Sequence, residues 1–494
     1  PECIGGVTEL FKNRILVPFE GNYDQYRHVI HHELFHAFMN DMYYGGSIQN
    51  VISKNITLNV PLWFSEGMAE YQSLNGLDKE TDMFIRDAVL NNYLPPIEYN
   101  DGYLAYRGGQ SFLSFIADTY GDYKMSDLMS NIKSLNDVDM AFRETFKLSI
   151  EQLSEKWLKE LKKAHWPEIA KREDVKDFAK MLTNHEKDGG FYNIAPTISP
   201  RGDKFAFISN RDDFFSVFLA DVNNGQILDK ILQGNNTNNF EELQVLTPGL
   251  SWSPDGKELA ISVKAGDKDA IFLIDADDGD ERWLPVELNS ISYVEWSPFK
   301  NIIAFVGTNT KQSDIYTYDI KSNKLTNLTN DIFSDIGPSW SPDGKFIYFS
   351  SDRDNYLNKD SIPANFEMWN HDVDRKDVYR IEVSSGTIER ISNSKDTKNG
   401  SVTFNEKGDK VLYVSDRNGI SNIYMGQFDT SGNYTERPIT NSISPIDQLS
   451  LSKDAKKLLF VSLNQGGYDI YSMDNPFDKK LDVDTLPPTQ YVLK

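Results

Sequence analysis

The sequence predicts two domains of different fold class. Residues 1–166 are expected to form a mostly α-helical domain, because apolar residues recur there at helical spacing between cap and stop signals. Residues 167–494 are expected to form an all-β propeller of six blades, because a unit of four short strands recurs after about residue 175. A chain of 494 residues is also too long for a single hydrophobic core.

The helical domain can be followed element by element. Residues 14–18 predict a short strand, and Asp24 is expected to cap a helix over about residues 25–40. After an irregular connector, further helices are expected from near Ser65 and near Asp82. The segment RGGQSFLSFIADTYG predicts an amphipathic helix that Gly121 ends. The segments DVDMAFRETF and SIEQLSEKWLKELKKAH predict the last two helices before the domain boundary.

Composition excludes some classes of partner. The formal net charge is −23 and the pI about 4.8, so there is no basic surface for a nucleic-acid backbone or an anionic membrane. Cys3 is the only cysteine and cannot close an internal disulfide. No run of 18 apolar residues occurs, so the sequence predicts no transmembrane segment.

Chemistry is concentrated in the segment HELFH. His32 and His36 are four residues apart, which places both imidazoles on one face of a helix, where they can bind one metal ion. A zinc ion lowers the pKa of its bound water to about 7. Glu33 can then take the proton of that water and deliver it to a leaving amine. The motif therefore predicts a zinc site, with His32 and His36 as ligands and Glu33 as the catalytic base.

A catalytic zinc needs a third protein ligand and one open position. Glu66, in the segment WFSEGMAEY, is the preferred third ligand. Glu70 lies one turn later on the same face and is better placed to accept the N–H of a ligand histidine, although the reverse assignment stays open. Gly67 fits a close approach of two backbones near the metal.

Other polar residues near the motif have weaker claims. His28 shares the stripe of the two ligand histidines, but a packing or hydrogen-bonding role is favoured over ligation. Tyr103, Tyr106 and Arg107 are candidates for stabilising an oxyanion, with Tyr106 preferred. None of the three is assigned as a site residue, because a tyrosine is more often part of a core.

The repeats have a consistent internal pattern. The clearest copies are SWSPDGKELAIS (251–262), EWSPFKNIIAFVG (295–307) and SWSPDGKFIYFSS (339–351). In the copies at 251–262 and 339–351 a strand ends in a Pro-Asp-Gly turn, a second strand follows, and a polar turn such as SDRD leads to a third strand. The sixth copy lacks a clear fourth strand. The segment AKMLTN, residues 179–184, is expected to complete that blade and close the ring.

Two blades carry long loops, one after the outer strand of blade one and one at residues 354–376 of blade four. In a four-stranded meander both positions open on the same face. Such loops predict either a docking surface for a protein partner or simple solvent-exposed connections.

The residues HELFH and Glu66 in an EGMAEY context resemble the gluzincin group of zinc metallopeptidases over about residues 14–135. The resemblance implies zinc ligands at His32, His36 and Glu66 and a catalytic Glu33. The spacing to Glu66 is longer than in the thermolysin pattern, so substrate specificity does not carry over. The SWSPDGK and DIY signatures resemble the TolB-type six-bladed propeller, which implies an extracytoplasmic (periplasmic or secreted) location of bacterial type.

The favoured function is a zinc-dependent metallopeptidase that hydrolyses peptide bonds through a metal-activated water. The propeller would then select a peptide or protein substrate or hold a partner. The alternative is a binding or scaffold protein of the cell envelope, whose peptidase-like domain keeps its metal but turns over slowly. An intact Glu33 favours the first function.

Overall fold

The structure, a computed structural model, describes residues 5–9, 14–19, 21–45, 58–234, 240–245, 247, 249–266, 268–309, 312–395, 397–428 and 434–494. It divides into two compact units, whose main segments are Asp24–Lys171 and Arg172–Val492. The first is helical and the second is a six-bladed propeller of strands, so the predicted fold class is confirmed. Within the described ranges, no helix is both long enough and apolar enough to cross a membrane.

The helical unit begins with a two-stranded hairpin, β1 (Val7–Thr8) and β2 (Ile15–Leu16). The described residues that follow form seven α-helices: α1 (Tyr23–Tyr44), α2 (Leu62–Ser73), α3 (Lys79–Leu90), α4 (Tyr103–Tyr120), α5 (Tyr123–Leu135), α6 (Val138–Phe146) and α7 (Ile150–His165).

Several helix starts differ from the sequence-based prediction. The expected cap at Asp24 is wrong, because α1 begins one residue earlier and Asp24 lies in its first turn. Helix α2 begins three residues before Ser65, directly after Pro61, whose extended backbone forms the cap. The connector after α1 was expected to be irregular, and residues 46–57 of it lie outside the described residues. Gly121 ends α4 in a positive-φ conformation, as predicted.

Aromatic rings hold the helices of this unit together. The ring centroid of Phe112 on α4 lies 5.5 Å from that of Trp63 on α2 and 5.6 Å from that of Trp157 on α7. Phe142 on α6 packs 6.1 Å from Trp63. All four side chains are at most 3% exposed, so burial of their large apolar surfaces fixes α2 relative to α4.

The propeller unit contains β3 (Lys180–Met181), the short helices α8 (Val175–Phe178), α9 (His185–Asp188) and α10 (Gln490–Leu493), and six sheets. Blade one is β4 (Asn193–Ile198), β5 (Lys204–Ser209), β6 (Ser216–Asp221) and β7 (Ile227–Gln233). Blade two is β8 (Glu242–Leu243), β9 (Leu250–Trp252), β10 (Glu258–Ala265), β11 (Lys268–Asp275) and β12 (Glu281–Leu284). Blade three is β13 (Ser290–Trp296), β14 (Ile302–Thr308), β15 (Ser313–Asp319) and β16 (Lys324–Asn327).

Blade four is β17 (Asp335–Trp340), β18 (Phe346–Ser351), β19 (Asp377–Glu382) and β20 (Ile388–Arg390). Blade five is β21 (Asn399–Phe404), β22 (Lys410–Ser415), β23 (Asn422–Phe428) and β24 (Tyr434–Pro438). Blade six is β25 (Ile446–Leu451), β26 (Lys457–Asn464) and β27 (Gly467–Asp474), with β3 as its fourth strand. Met181 pairs with Tyr471, so the segment 179–184 supplies the outer strand of blade six and joins the start of this unit to its last sheet.

The turn of each SPDG repeat is held by its serine and aspartate. In blade two, Ser253 donates its hydroxyl to Asp255 at 2.7 Å and accepts from the backbone N–H of Glu258 at 2.9 Å. Gly256 has a φ of +73°, a conformation that a residue with Cβ rarely adopts. The same serine–aspartate contact recurs at Ser341 in blade four. These local bonds explain why the motif marks the start of a blade's second strand.

The loop of blade four contains regular secondary structure. It contains 3₁₀ turns at Lys359–Ser361 and Met368–Asn370. The expected loop of blade one lies partly outside the described residues, but Glu242–Leu243 within it forms β8 and pairs with β10.

Candidate metal centre

Two histidines of α1 and one glutamate of α2 converge on a common point. The Nε2 atoms of His32 and His36 are 3.0 Å apart, and each lies 3.2 Å from Oε2 of Glu66. An ion with tetrahedral bonds of about 2.0–2.2 Å sets its ligand atoms roughly 3.3–3.6 Å apart. The three donors therefore have the chemistry and nearly the spacing of a histidine–histidine–carboxylate zinc set.

Glu70 contacts His32 through the ring nitrogen that does not face Glu66. Its Oε1 lies 3.0 Å from Nδ1 of His32, and its Oε2 lies 3.3 Å from Nε2 of His28. When His32 donates its Nδ1–H to Glu70, its Nε2 lone pair faces Glu66 and His36. The structure thus places Glu66 among the converging donors, whereas Glu70 contacts the far side of the His32 ring. Arg107 lies 3.8 Å from Glu70 and contributes positive charge beside that carboxylate.

The imidazoles and carboxylates of the group shift one another's pKa values. Burial alone would lower the pKa of His32, but hydrogen bonds to Glu66 and Glu70 outweigh it and raise that pKa to about 9. Burial would raise the pKa of Glu66, yet His32 and His36 hold it at about 2. Burial likewise opposes ionisation of Glu70, but His28 and His32 keep its pKa well below its usual range. Both carboxylates are therefore ionised at neutral pH and attract positive charge.

Glu33 lies next to His32 and is 7% exposed. Thr8 of strand β1 donates its hydroxyl to Oε2 of Glu33 at 2.6 Å. The same hydroxyl lies 2.9 Å from the backbone oxygen of Glu33. A Cβ added at Gly6 would come within 2.7 Å of the Glu33 side chain, so the hairpin packs closely over the candidate base. Sequence reasoning missed Thr8, because nothing in the local pattern shows that residues 25 positions apart meet.

The two candidate tyrosines take different positions. The ring of Tyr106 stacks on that of His32, with centroids 6.1 Å apart and planes 14° apart. Burial, together with the neighbouring Glu66, raises the pKa of Tyr106 to about 12. Tyr103 instead accepts a hydrogen bond from Arg107 at 2.8 Å and packs on Phe84 at 4.9 Å. Of the two, only Tyr106 lies beside the converging donors.

The helices that carry the site touch through their backbones. A Cβ added at Gly67 would lie 2.5 Å from backbone atoms of Gly109, and a Cβ at Gly109 would lie 2.2 Å from the carbonyl oxygen of Trp63. Helices α2 and α4 can approach this closely only because both positions are glycine. This contact brings Glu66 and Tyr106 to the same side of α1. The consecutive glycines of RGGQ are the signal in the sequence for this close approach.

A group of three aspartates in the propeller is neutralised by an arginine of the chain. Asp314, Asp331 and Asp335 also bring carboxylate oxygens within 4.8 Å of one another. Arg353, which is fully buried, donates to Asp331 at 2.8 Å and to both oxygens of Asp335 at 2.7 Å. A guanidinium of the chain itself balances this group, so it is an internal ion pair rather than a candidate metal site.

The helical unit matches a known family. Residues 1–163 fit the model of the Peptidase MA superfamily. This part of the chain is a Peptidase MA superfamily domain.

The chain is also 32% identical over 164 residues to the uncharacterized protein Atu1656 of Agrobacterium fabrum, covering 33% of this chain and 49% of that protein. It is 26% identical over 160 residues to the uncharacterized peptidase YuxL of Bacillus subtilis, covering 32% of this chain and 21% of that protein. The matches thus span less than half the length of either relative.

Solved propellers are similar to this chain at low identity. A candidate TolB from Agrobacterium tumefaciens is 22% identical with a TM-score of 0.39, covering 57% of this chain and 90% of that one. TolB from Acinetobacter baumannii is 16% identical with a TM-score of 0.39, covering 66% of this chain and 71% of that one. The description of the propeller here rests on its own six sheets.

Proposed function

We propose that this chain is a zinc-dependent metallopeptidase that hydrolyses peptide bonds in a peptide or protein substrate. The observation that carries the proposal is the convergence of His32, His36 and Glu66 within 3.2 Å, with Glu33 adjacent on α1. The match of the helical unit to the Peptidase MA superfamily supports the peptide as substrate class.

His32, His36 and Glu66 would hold the zinc ion, which would supply Lewis acidity for activating water and polarising the scissile carbonyl. Side chains of the protein would move the proton and stabilise the oxyanion. Glu33 accepts the proton of the attacking water at its carboxylate and returns it to the leaving nitrogen. Thr8 holds that carboxylate in place through its hydroxyl. Tyr106, a phenol protonated at neutral pH whose ring stacks on His32, would donate to the developing oxyanion.

The propeller is proposed to select the substrate or to hold a protein partner, and the chain is proposed to work outside the cytoplasm. The location rests on the resemblance of the repeats to TolB-type propellers. Fractionation of the source cells, with a cytoplasmic marker enzyme as the reference, tests it. Recovery of the protein with the cytoplasmic marker would contradict it.

The test of activity combines metal analysis with a peptide-library assay. We expect about one zinc per chain in the wild type and in Glu33→Gln, because Glu33 is not a ligand. Activity of Glu33→Gln should fall by a factor of about 10² to 10⁴, the contribution of one acid–base group. Glu66→Gln should lose zinc. Glu98→Gln, outside the site, is the matched control and should behave as the wild type.

Full zinc occupancy without turnover on any peptide would refute the peptidase and leave the scaffold function. Retention of zinc by Glu66→Gln, together with its loss in Glu70→Gln, would show that the third ligand is Glu70.

A further inference from the structure

Blade four contains a pocket that the proposed peptidase chemistry does not use. It has a volume of about 210 Å³ and lies where the insertion 354–376 leaves strand β18. Its lining is strongly acidic: Asp352, Asp354, Asp372 and Asp377, with His371 and Arg375. Four carboxylates and one guanidinium line the pocket itself, and the cations of Arg390 and Lys376 lie beside these carboxylates.

The insertion is packed into the blade on this side. The ring of His371 lies 5.3 to 5.4 Å from the rings of Phe366 and Phe333. The His371 ring also hydrogen-bonds through Nε2 to the backbone oxygen of Asp352. Tyr356 stacks on Phe333 at 5.5 Å and completes the aromatic cluster. The wall that the insertion contributes is therefore held by the core of the protein rather than being a loose loop.

Two of the four carboxylates are neutralised inside the wall. Arg390 donates to Asp354 at 2.9 Å and also binds Asp377. Arg375 lies 3.1 Å from Asp377 and 3.5 Å from Asp354. These pairs leave Asp352 and Asp372 as the carboxylates of the lining that neither guanidinium group contacts, although the backbone N–H of Arg375 donates to Asp372 at 3.3 Å.

Asp352 has an acceptor that the protein does not satisfy. The residue is 2% exposed, and its Oδ1 accepts from the backbone N–H of Ser334 at 2.9 Å. Its Oδ2 is buried and receives no hydrogen bond from the described residues. Burial raises the pKa of Asp352, against the opposing charges of Lys376 and His371. A buried carboxylate oxygen without a donor is unfavourable, unless a ligand supplies the donor.

The equivalent position in two other blades shows that its structural role needs only one oxygen. Asn210 follows β5 of blade one as Asp352 follows β18, and its Oδ1 accepts from the N–H of Tyr192 at 2.9 Å. In blade five, Asp416 accepts from the N–H of Lys398 at the same distance. An amide thus suffices to hold the start of the inner strand, and the second oxygen of Asp352 is not needed for the fold.

We propose that this pocket binds an organic cation, an ammonium or guanidinium group, with Oδ2 of Asp352 as its main acceptor and Asp372 adding negative charge. A divalent metal fits less well. Among the described residues, side chains whose ligand atoms converge within 4.8 Å in groups of three or more lie elsewhere. The site does not depend on the proposed zinc centre, and its test has a separate readout.

The test is calorimetric titration of the full chain with n-butylamine, n-butylguanidine and the neutral n-butanol. Both cations should bind saturably at one site per chain, and butanol should not. Asp352→Asn keeps the acceptor for Ser334, as Asn210 does in blade one, and should weaken binding about tenfold or more, the effect of losing a charge-assisted hydrogen bond. Asp416→Asn is the matched control and should change the affinity less than about twofold. Each titration is repeated with a chelator, so that an amine bound at a metal in the helical unit is recognised.

A blocked Ala-Lys-Ala peptide and putrescine then distinguish two sources of the same cation. Tighter binding of the peptide than of butylamine identifies a basic side chain, and tighter binding of putrescine identifies a free amine. The proposal is overturned if neither butyl cation binds, if Asp352→Asn binds them as well as the wild type, or if Ca²⁺ saturates an Asp352-dependent site that the organic cations do not enter.

Discussion

Replacing Gly67 by alanine should separate zinc binding from simple stability. The added Cβ would lie 2.5 Å from Gly109, whereas ordinary contacts begin at 3.4 Å, so α2 and α4 must move apart by about 0.9 Å. Glu66 precedes Gly67 on the same helix and moves with it. A zinc ligand tolerates only about 0.2 Å of displacement. The change should therefore weaken zinc binding about tenfold or more and destabilise the helical unit by roughly 1–3 kcal/mol.

For a unit of this size, that loss corresponds to a fall in Tm of about 2–12 °C. Thermal unfolding and competition with a chelating dye measure the two effects. Gly76→Ala is the control, because Gly76 has a φ of +117° and no heavy atom within 4 Å of an added Cβ. It should cost about 1–3 kcal/mol through backbone strain alone, without moving α2. If Gly67→Ala binds zinc as the wild type does, or if both variants lose zinc equally, the reasoning is wrong.

Three further predictions address single side chains. Glu70→Gln should weaken zinc binding about 10- to 100-fold without changing the stoichiometry at saturation, because it loosens the orientation of His32. Tyr106→Phe should lower kcat about 10²- to 10³-fold with KM and zinc content unchanged, whereas Tyr103→Phe should leave kcat within about threefold. Burial raises the pKa of Glu295 to about 8 from 4.5, so its stabilising effect is complete below pH 4.5 and is lost as the pH rises through 8. As the pH rises from 5 to 9, the free energy of unfolding of the wild type, measured with urea, should therefore fall by about 3–5 kcal/mol relative to that of Glu295→Gln.

The sequence was informative where chemistry has a fixed spacing. Two histidines four residues apart must share a helical face, and the structure brings His32 and His36 together with Glu66, which a separate helix supplies. Glu66 could be selected as the third ligand because the segment EGMAEY offers only two glutamates, Glu66 and Glu70. Thr8 could not be found, since its contact with Glu33 depends on a hairpin of two-residue strands. Helix α5 was missed as well, because its segment lacks a strong cap and Asp122 makes no side-chain capping bond.

In the propeller, the repeats predicted the blades because each turn is stabilised locally. The polar turn after the second strand was interpreted only as a connection. In the structure its arginine packs inward. Arg353 lies 5.1 Å from the ring of Phe349, and Arg417 lies 4.2 Å from the ring of Tyr424. An arginine in a polar tetrapeptide is indistinguishable from a solvent-exposed one in sequence, because its aromatic partners lie on the strands that flank the turn and the local pattern does not show which way the arginine points.

Among the described residues, three groups bring three ligand atoms together, and two of these groups share His32. Arg353 distinguishes the acidic group of the propeller from the set of His32, His36 and Glu66. Both bring three ligand atoms within 4.8 Å, so distance alone does not distinguish them. In the propeller, a fully buried guanidinium binds two of the three carboxylates, and removing it would leave buried charge without a partner. In the helical unit, two imidazole nitrogens face each other at 3.0 Å beside a carboxylate, an arrangement that a proton or a metal ion must hold together. The donor set of α1 and α2 therefore fits the zinc site proposed above, because a mixture of nitrogen and oxygen ligands suits zinc better than magnesium or calcium.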